Sequence, residues 1–260
     1  MEAELLLRHL WQWDKADFYV NLNAELAPEQ IQTLNSLIQR RIRHEPIAYI
    51  TGRKEFFGIE FYVDPRVIIP RPETELLVEQ ALELANRRFP RSCISADIGT
   101  GCGAIAIALA SNLTQAKVYA TDISAPALEV AAVNCQRHGV TGQVQLLQGD
   151  LLDPIPEPVH LVVANLPYVR DSEIAELSAE SRLFEPMIAL AGGEDGLEWI
   201  RKLLSQAGDK MSQDGAILIE IGCDQGVTVA SLATEVFPKA AIRIVPDLSG
   251  HDRVVVVETI

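Results

Sequence analysis

From Cys93 onward, short apolar runs alternate with helix-length segments, and this alternation fixes the fold class more tightly than anything else in the chain. Strand-like runs cover 93–98, 117–121, 144–147, 159–164, 216–221, 242–245 and 253–258. Helix-like segments at 103–111, 125–138, 173–180, 196–212 and 225–236 lie between most of them. Such a pattern predicts a parallel sheet with helices on both faces. The sixth and seventh runs are joined only by the loop from Pro246 to Asp252, too short for a crossover helix, so they should pair antiparallel. The expected fold is α/β: a seven-stranded mixed, Rossmann-like sheet, with one antiparallel strand at the end. That strand departs from a plain dinucleotide-binding fold.

The first 50 residues read as a separate helical unit. Leu5, Leu6, Leu10 and Trp13 share one helical face, and Trp11 and Trp13 suit the core of a small bundle. Pro28 fits a first helical turn, and Ile31, Leu34, Leu37, Ile38 and Ile42 keep helical spacing after it. Pro46 should end that helix near Glu45. Arg40, Arg41 and Arg43 then complement its dipole at a solvated end, with partner contact as the alternative. Residues 51–70 carry the β-prone stretch Phe56 to Val63, with Gly58 as turn, and read as a hairpin or extended connector. Ile69-Pro70-Arg71-Pro72-Glu73-Thr74-Glu75 reads as a stiff arm in which Thr74 or Glu73 caps a helix from Leu76 to Arg88. Residues 71–260 form the expected catalytic unit.

Charge narrows the partners. The net charge of -14 repels nucleic acid and argues against a direct RNA or DNA ligand. Cys93, Cys102, Cys135 and Cys223 lack C-x-x-C spacing and read as reduced thiols, with no metal site expected. The acidic start and the absence of a membrane-length apolar run predict a soluble, cytoplasmic chain, and a monomer is expected.

Chemistry enters at the strand ends. Asp97-Ile98-Gly99-Thr100-Gly101-Cys102-Gly103 follows the first strand and opens a helix. Its spacing is G-x-G-x-G, whereas a dinucleotide loop needs G-x-G-x-x-G to seat a pyrophosphate on the helix N-terminus. An acid at Asp97 would repel pyrophosphate and suits a cationic ligand such as S-adenosyl-L-methionine. Asp122 ends the second strand, where a carboxylate can accept two ribose hydroxyls. Gly149-Asp150-Leu151 ends the third, where an adenine edge would lie. Ligands of open α/β sheets sit at these ends. The expected cofactor contacts from this pattern are Asp97, Gly99, Thr100, Gly101, Cys102, Gly103, Asp122, Asp150 and Leu151.

After the fourth strand comes Asn165-Leu166-Pro167-Tyr168. The Asn amide and the Leu166 carbonyl supply acceptors, Pro167 stiffens the loop, and Tyr168 supplies a flat ring. This set suits a planar group bearing –NH2, either a side-chain amide or an adenine. No His, Ser or Cys constellation competes with it.

These residues, with Glu45-Pro46-Ile47-Ala48-Tyr49-Ile50-Thr51-Gly52, Glu55-Phe56-Phe57-Gly58, the arm at 69–75, Phe184-Glu185-Pro186 and Gly193-Glu194-Asp195-Gly196, resemble one family across nearly the whole chain. It is that of the bacterial N5-glutamine methyltransferases of class I peptide chain release factors. The resemblance implies a class I methyltransferase domain and an N-terminal helical domain that helps bind the release factor. It implies methyl transfer from S-adenosyl-L-methionine, leaving S-adenosyl-L-homocysteine, to the glutamine of a Gly-Gly-Gln motif. Asn165, Leu166, Pro167 and Tyr168 would hold that glutamine, and the Gly99–Gly103 loop, Asp122, Leu151 and Asn165 would touch the cofactor. Arg71, Pro72 and Glu73, with Phe184, Glu185 and Pro186, would brace the target loop. Leu166 departs from the usual Asn-Pro-Pro-Tyr, and Asn-Leu-Pro-Tyr is also similar to the motif of rRNA adenine dimethyltransferases. Those enzymes place their extra domain after the catalytic one and have a basic surface. Here the extra domain comes first and the charge is -14. A non-catalytic module of the same fold has no need of the strand-end acids, and an NAD oxidoreductase needs other glycine spacing.

Overall fold

In the computed structural model, which describes residues 2–259, four helices lead the chain. They are α1 (Glu2–Trp11), α2 (Lys15–Val20), α3 (Pro28–Ile42) and α4 (Ile47–Thr51). Their own core is small: Leu6, Leu37 and Ile50, with Leu34 and Ile47 packed against it. Ile31, Ile38 and Ile42 stay exposed, because α3 has α1 and α4 on one side only. The tryptophans are not in this core. Gln12 turns left-handed at φ 54°, which swings Trp13 off the face of α1, and Trp13 stacks on Trp11 with ring centroids 4.5 Å apart. The arginine end of α3 is also more than solvated: Arg40 pairs with Glu45, and Arg41 joins Glu2 to Glu180 at 2.6 Å, reaching across to the catalytic part.

A hairpin follows, β1 (Arg53–Phe56) and β2 (Ile59–Tyr62). Phe57 and Gly58 both have positive φ, the pattern that a two-residue turn needs to match strand twist. Asn134, fully buried, fastens the hairpin: its Oδ1 accepts from the Tyr62 amide, and its Nδ2 donates to the Tyr62 and Cys102 carbonyls.

The seven-stranded sheet comprises β3 (Ile94–Ile98), β4 (Lys117–Asp122), β5 (Val144–Gln148), β6 (Val159–Ala164), β7 (Met211–Glu220), β8 (Ala241–Pro246) and β9 (Asp252–Glu258), in the order β5-β4-β3-β6-β7-β9-β8. The antiparallel strand, last in sequence, is not at the sheet edge. β9 lies between β7 and β8 and runs against both. Burial explains the order. Val254 to Val257 are inaccessible on both faces of β9, whereas β8 alternates between exposed and half-buried residues and tolerates the edge.

Side-chain alternation divides the core in two. Leu161 and Val163, Ala216 and Leu218, and Val254 and Val256 face α5 (Thr74–Arg88), α6 (Ala104–Asn112) and α7 (Ala125–Arg137). Val162 and Ala164, Ile217 and Ile219, and Val255 and Val257 face α9 (Glu198–Lys210) and α10 (Gly226–Val236). The helix expected at 173–180 is instead a 3-10 turn, Asp171–Glu176, followed by α8 (Ala179–Phe184). Ser178 starts α8 by accepting from the Ser181 amide, and Pro186 holds Glu185 extended and ends it. Strand order reverses between β3 and β6, and the crevice at that switch point is where the strand-end residues converge.

Candidate active site

A cavity of about 570 Å³ opens over the C-terminal ends of β3, β4, β6 and β7. Gly99, Gly101, Asp122, Asp150 and Leu151 line one part of it. Asn165, Leu166, Pro167, Tyr168, Arg71, Glu185 and Pro186 line another. The remaining expected residues stand behind this lining or outside it.

The glycine loop is shaped by its own bonds. Gly99, Gly101 and Gly103 all have positive φ, and the Gly99 and Thr100 amides both donate to the Thr121 carbonyl. Asp97 lies fully buried beneath the loop. Its Oδ2 accepts from the Thr100 hydroxyl at 2.6 Å and from the Ala106 amide at 3.0 Å, while Oδ1 has no partner among the described residues. Burial pushes its carboxyl up to about 7. Cys102 is buried, with its thiol pushed up to about 12, and its carbonyl holds Asn134. A Cβ on Gly103 would crowd Ile107 and Ala131, so this glycine lets α6 close on α7. Thus Thr100, Cys102 and Gly103 support the loop, and Gly99 and Gly101 present it.

Asp122 is held by two amides: Gly101 donates to Oδ2 and Ser124 to Oδ1, each at 2.9 Å. Burial raises its carboxyl above the ordinary value. Asp150 is ion-paired with Lys202. Leu151 is nearly buried with φ 49°, a left-handed conformation that a non-glycine residue holds only when its surroundings impose it. The orphaned Asp97 oxygen, the open glycine backbone and the fixed Asp122 carboxylate together fit a ligand with a cationic group and adjacent hydroxyls.

At the other end of the cavity, Asn165 Nδ2 donates to the Thr74 hydroxyl oxygen at 3.0 Å. One of its two N–H bonds is thereby committed, which orients the amide and leaves Oδ1 as an acceptor. Neither Thr74 nor Glu73 caps α5 through its side chain. Thr74 is buried within the helix and serves Asn165 instead. The Leu166 carbonyl takes no backbone amide among the described residues, while the Leu166 side chain packs into the core beneath Gly99. An apolar residue of either kind, Leu or Pro, fills that position.

Tyr168 is fixed from two sides. Its hydroxyl donates to Glu220 Oε1 at 3.3 Å, and its carbonyl accepts from Gln225 Nε2 at 3.1 Å. Burial and the Glu220 charge hold its phenol well above the ordinary value. Glu220 lines the cavity and Gln225 supports it, and the sequence reading missed both. For Glu220 a signal exists: a carboxylate ending the apolar run Ala216 to Ile219, as Asp97 and Asp122 sit at their own strand ends.

Glu185 is buried and joins the arm to the segment after α8. Its Oε1 accepts from the Ile69 amide at 3.1 Å and its Oε2 pairs with Arg71 at 2.5 Å. Pro72 and Glu73 are exposed, and Phe184 packs against the core away from the cavity lining.

A family model described as the PrmC N-terminal domain matches residues 1–52, and one described as the Methyltransferase small domain matches residues 73–194. The chain is 42% identical over 255 residues to the release factor glutamine methyltransferase of Moorella thermoacetica, covering 97% of this chain and 89% of that one. It is 39% identical over 257 residues to the release factor glutamine methyltransferase of Neisseria gonorrhoeae, covering 98% and 91%. In fold it is similar to a methyltransferase from Pyrococcus furiosus, with a TM-score of 0.59 and 17% identity, over 86% of this chain and 98% of that one.

Proposed function

This chain belongs to the release factor glutamine methyltransferase family, and we propose that it moves a methyl group from S-adenosyl-L-methionine to the side-chain amide nitrogen of the glutamine in a release factor's Gly-Gly-Gln motif. One observation carries the site assignment. With one N–H bond committed to Thr74, Asn165 presents its oxygen, and that oxygen and the Leu166 carbonyl are a pair of acceptors for the two N–H bonds of a primary amide.

S-adenosyl-L-methionine supplies an electrophilic methyl on a positively charged sulfur. Gly99, Gly101, Asp122, Asp150 and Leu151 are the residues that would hold it, with Asp97 behind the loop as a countercharge. The difficulty lies with the nucleophile, because an amide nitrogen shares its lone pair with the carbonyl. Two acceptors on its hydrogens fix its orientation and shift electron density toward it. As positive charge grows on nitrogen, both hydrogen bonds strengthen, so they favour the transition state over the bound substrate. Tyr168, anchored at both ends, covers the amide plane. The N-terminal helices contact the body of the release factor, and Arg71 and Glu185 stiffen the wall against which the Gly-Gly-Gln loop lies.

The test is methyl incorporation from labelled S-adenosyl-L-methionine into a purified release factor, its Gln→Ala variant in that motif, and naked rRNA. Label is expected in the first alone; label in rRNA would point to an adenine as the acceptor. For the cofactor end, Asp122→Ala should weaken S-adenosyl-L-methionine binding about 10- to 100-fold, the loss expected for hydrogen bonds to a charged group. Calorimetric affinity equal to that of the parent would refute the ribose role.

A further inference from the structure

Lys202, Gln206 and Lys210 follow one another at single-turn spacing along α9 and so share one stripe of the helix. All three are half-buried, at the border of the face that packs on the sheet through Ile200, Leu203, Leu204 and Ala207. Each holds part of the segment that follows β5. Lys202 pairs with Oδ2 of Asp150. Gln206 Oε1 accepts from the Leu152 amide at 2.8 Å. Lys210 Nζ donates to the Ile155 carbonyl at 2.6 Å and to the Asp153 carbonyl at 3.4 Å. The order along the helix is the order along the segment.

The backbone held this way is strained and faces the cavity. Leu151, between the Lys202 and Gln206 contacts, has φ 49°, which persists only where neighbours over-determine it. Leu152 beside it is inaccessible to solvent. Asp150 and Leu151 line the cavity, whereas Asp153 and Ile155 do not. Lys202 occupies one Asp150 oxygen and leaves the other as an acceptor. The Leu151 amide donates to no backbone carbonyl among the described residues. A carboxylate oxygen beside an N–H matches the edge of adenine, where an amino group neighbours a ring-nitrogen acceptor. It opposes the edge of hypoxanthine, where a carbonyl neighbours a ring N–H.

We propose that Lys202 and Gln206 are positioning residues for cofactor recognition. Lys202 aims the Asp150 carboxylate, and Gln206 fixes the backbone at Leu151 and Leu152, so that together they present an acceptor and a donor to adenine. The proposal rests on the reading of Gly149 to Leu151 as the seat of the cofactor's adenine. Neither residue belongs to a motif read from the sequence. The Lys202–Asp150 pair is partly exposed, and such a pair adds little to stability, so its effect lies in where the carboxylate points. Without the Gln206 oxygen the Leu152 amide loses its acceptor, and the strained residue before it is free to relax.

The test is calorimetry on the full chain with S-adenosyl-L-homocysteine and S-inosyl-L-homocysteine, which differ only at that base edge, with thermal unfolding of each sample. The parent should bind the adenosyl compound at least about 10-fold more tightly, because the inosyl one sets a carbonyl against the carboxylate. Lys202→Met and Gln206→Leu should each weaken the adenosyl compound by about 10-fold and the inosyl compound far less, so that the preference shrinks. Lys202→Arg and Gln206→Glu keep the cation and the acceptor and should restore most of the preference. Lys210→Met cuts the same stripe beyond the cavity and should leave both affinities within about two-fold of the parent. A folded Lys202→Met or Gln206→Leu with the parental preference would overturn the role of that residue. An equal loss in Lys210→Met would overturn the proposal as a whole, since the stripe would then act by packing alone. Should Gln206→Leu not fold, Lys202→Met decides, because it removes a partly exposed charge and buries no unpaired group. A parent that binds both compounds alike sinks the adenine seat and this proposal with it. A parent that discriminates, beside variants that discriminate equally, sinks this proposal and spares the seat.

Discussion

Asn165→Ala should fold like the parent and lose kcat by about 10²- to 10³-fold, the effect seen when one preorganised partner of developing charge is removed. The stability cost is small, because Asn165 is half-buried and, among the described residues, its side chain makes a single hydrogen bond, to Thr74. About 1 kcal/mol is the expected size of that loss. The catalytic cost is large because the missing oxygen acts where positive charge forms on the amide nitrogen. The Leu166 carbonyl remains and still holds one N–H, so the nitrogen swings about that bond and its lone pair loses aim. Rate and affinity therefore separate: kcat falls, whereas KM for the release factor moves little, since most protein contacts lie elsewhere. Single-turnover methylation of whole release factor with a thermal melt on the same sample measures both. Near-normal turnover by a folded variant would remove Asn165 from the site.

How far the site was legible in the chain follows from what each residue relies on. Asp122 and Asn165 announce themselves, because a polar residue that ends an apolar strand run of an α/β chain lies at the ligand-bearing edge of the sheet. The glycine loop is legible for the same reason, as are the seven strands. What could not be read is partnership across distance. Thr74 looks like a helix cap until Asn165, 91 positions away, is placed beside it. Glu220 and Tyr168 are 52 positions apart, and Asn134 grips Tyr62 across 72. Periodicity carries no information about such pairs. The place of β9 inside the sheet was legible in part: four consecutive valines call for two covered faces, which an edge strand lacks. Trp11 and Trp13 misled because one left-handed residue, Gln12, breaks the helical phase that relates them to Leu6. Nothing in the apolar spacing marks that break.

Gly192→Ala should reach the same site by packing rather than chemistry, and its effect on turnover should approach that of Asn165→Ala. Gly192 lies against the back of the loop from Asn165 to Tyr168. Its amide donates to the Val169 carbonyl at 2.8 Å, and Val169 in turn donates to the Leu190 carbonyl. A Cβ there would stand 2.8 Å from the Pro167 oxygen, 2.8 Å from the Tyr168 Cα and 2.9 Å from the Gly196 Cα. All three are backbone atoms, so no flexible side chain can swing aside. The loop must shift by a large fraction of an ångström, carrying the Leu166 carbonyl and the Tyr168 ring with it. Overpacking of this kind costs about 1–3 kcal/mol, which lowers Tm by several degrees in a protein of this size. Misplacement near 1 Å costs about 10²-fold in rate, so kcat should fall by about that factor. Affinity for S-adenosyl-L-methionine should be spared, because the glycine loop and Asp122 hang from β3 and β4 on the other side of the crevice. Gly208→Ala is the matched control: it lies in α9 with open space around it, where alanine favours the helix by about 0.5–1 kcal/mol. It should raise Tm slightly and leave turnover unchanged. A Gly192→Ala variant with parental kcat would mean that the loop tolerates displacement, and that the position of Tyr168 is not what limits the rate.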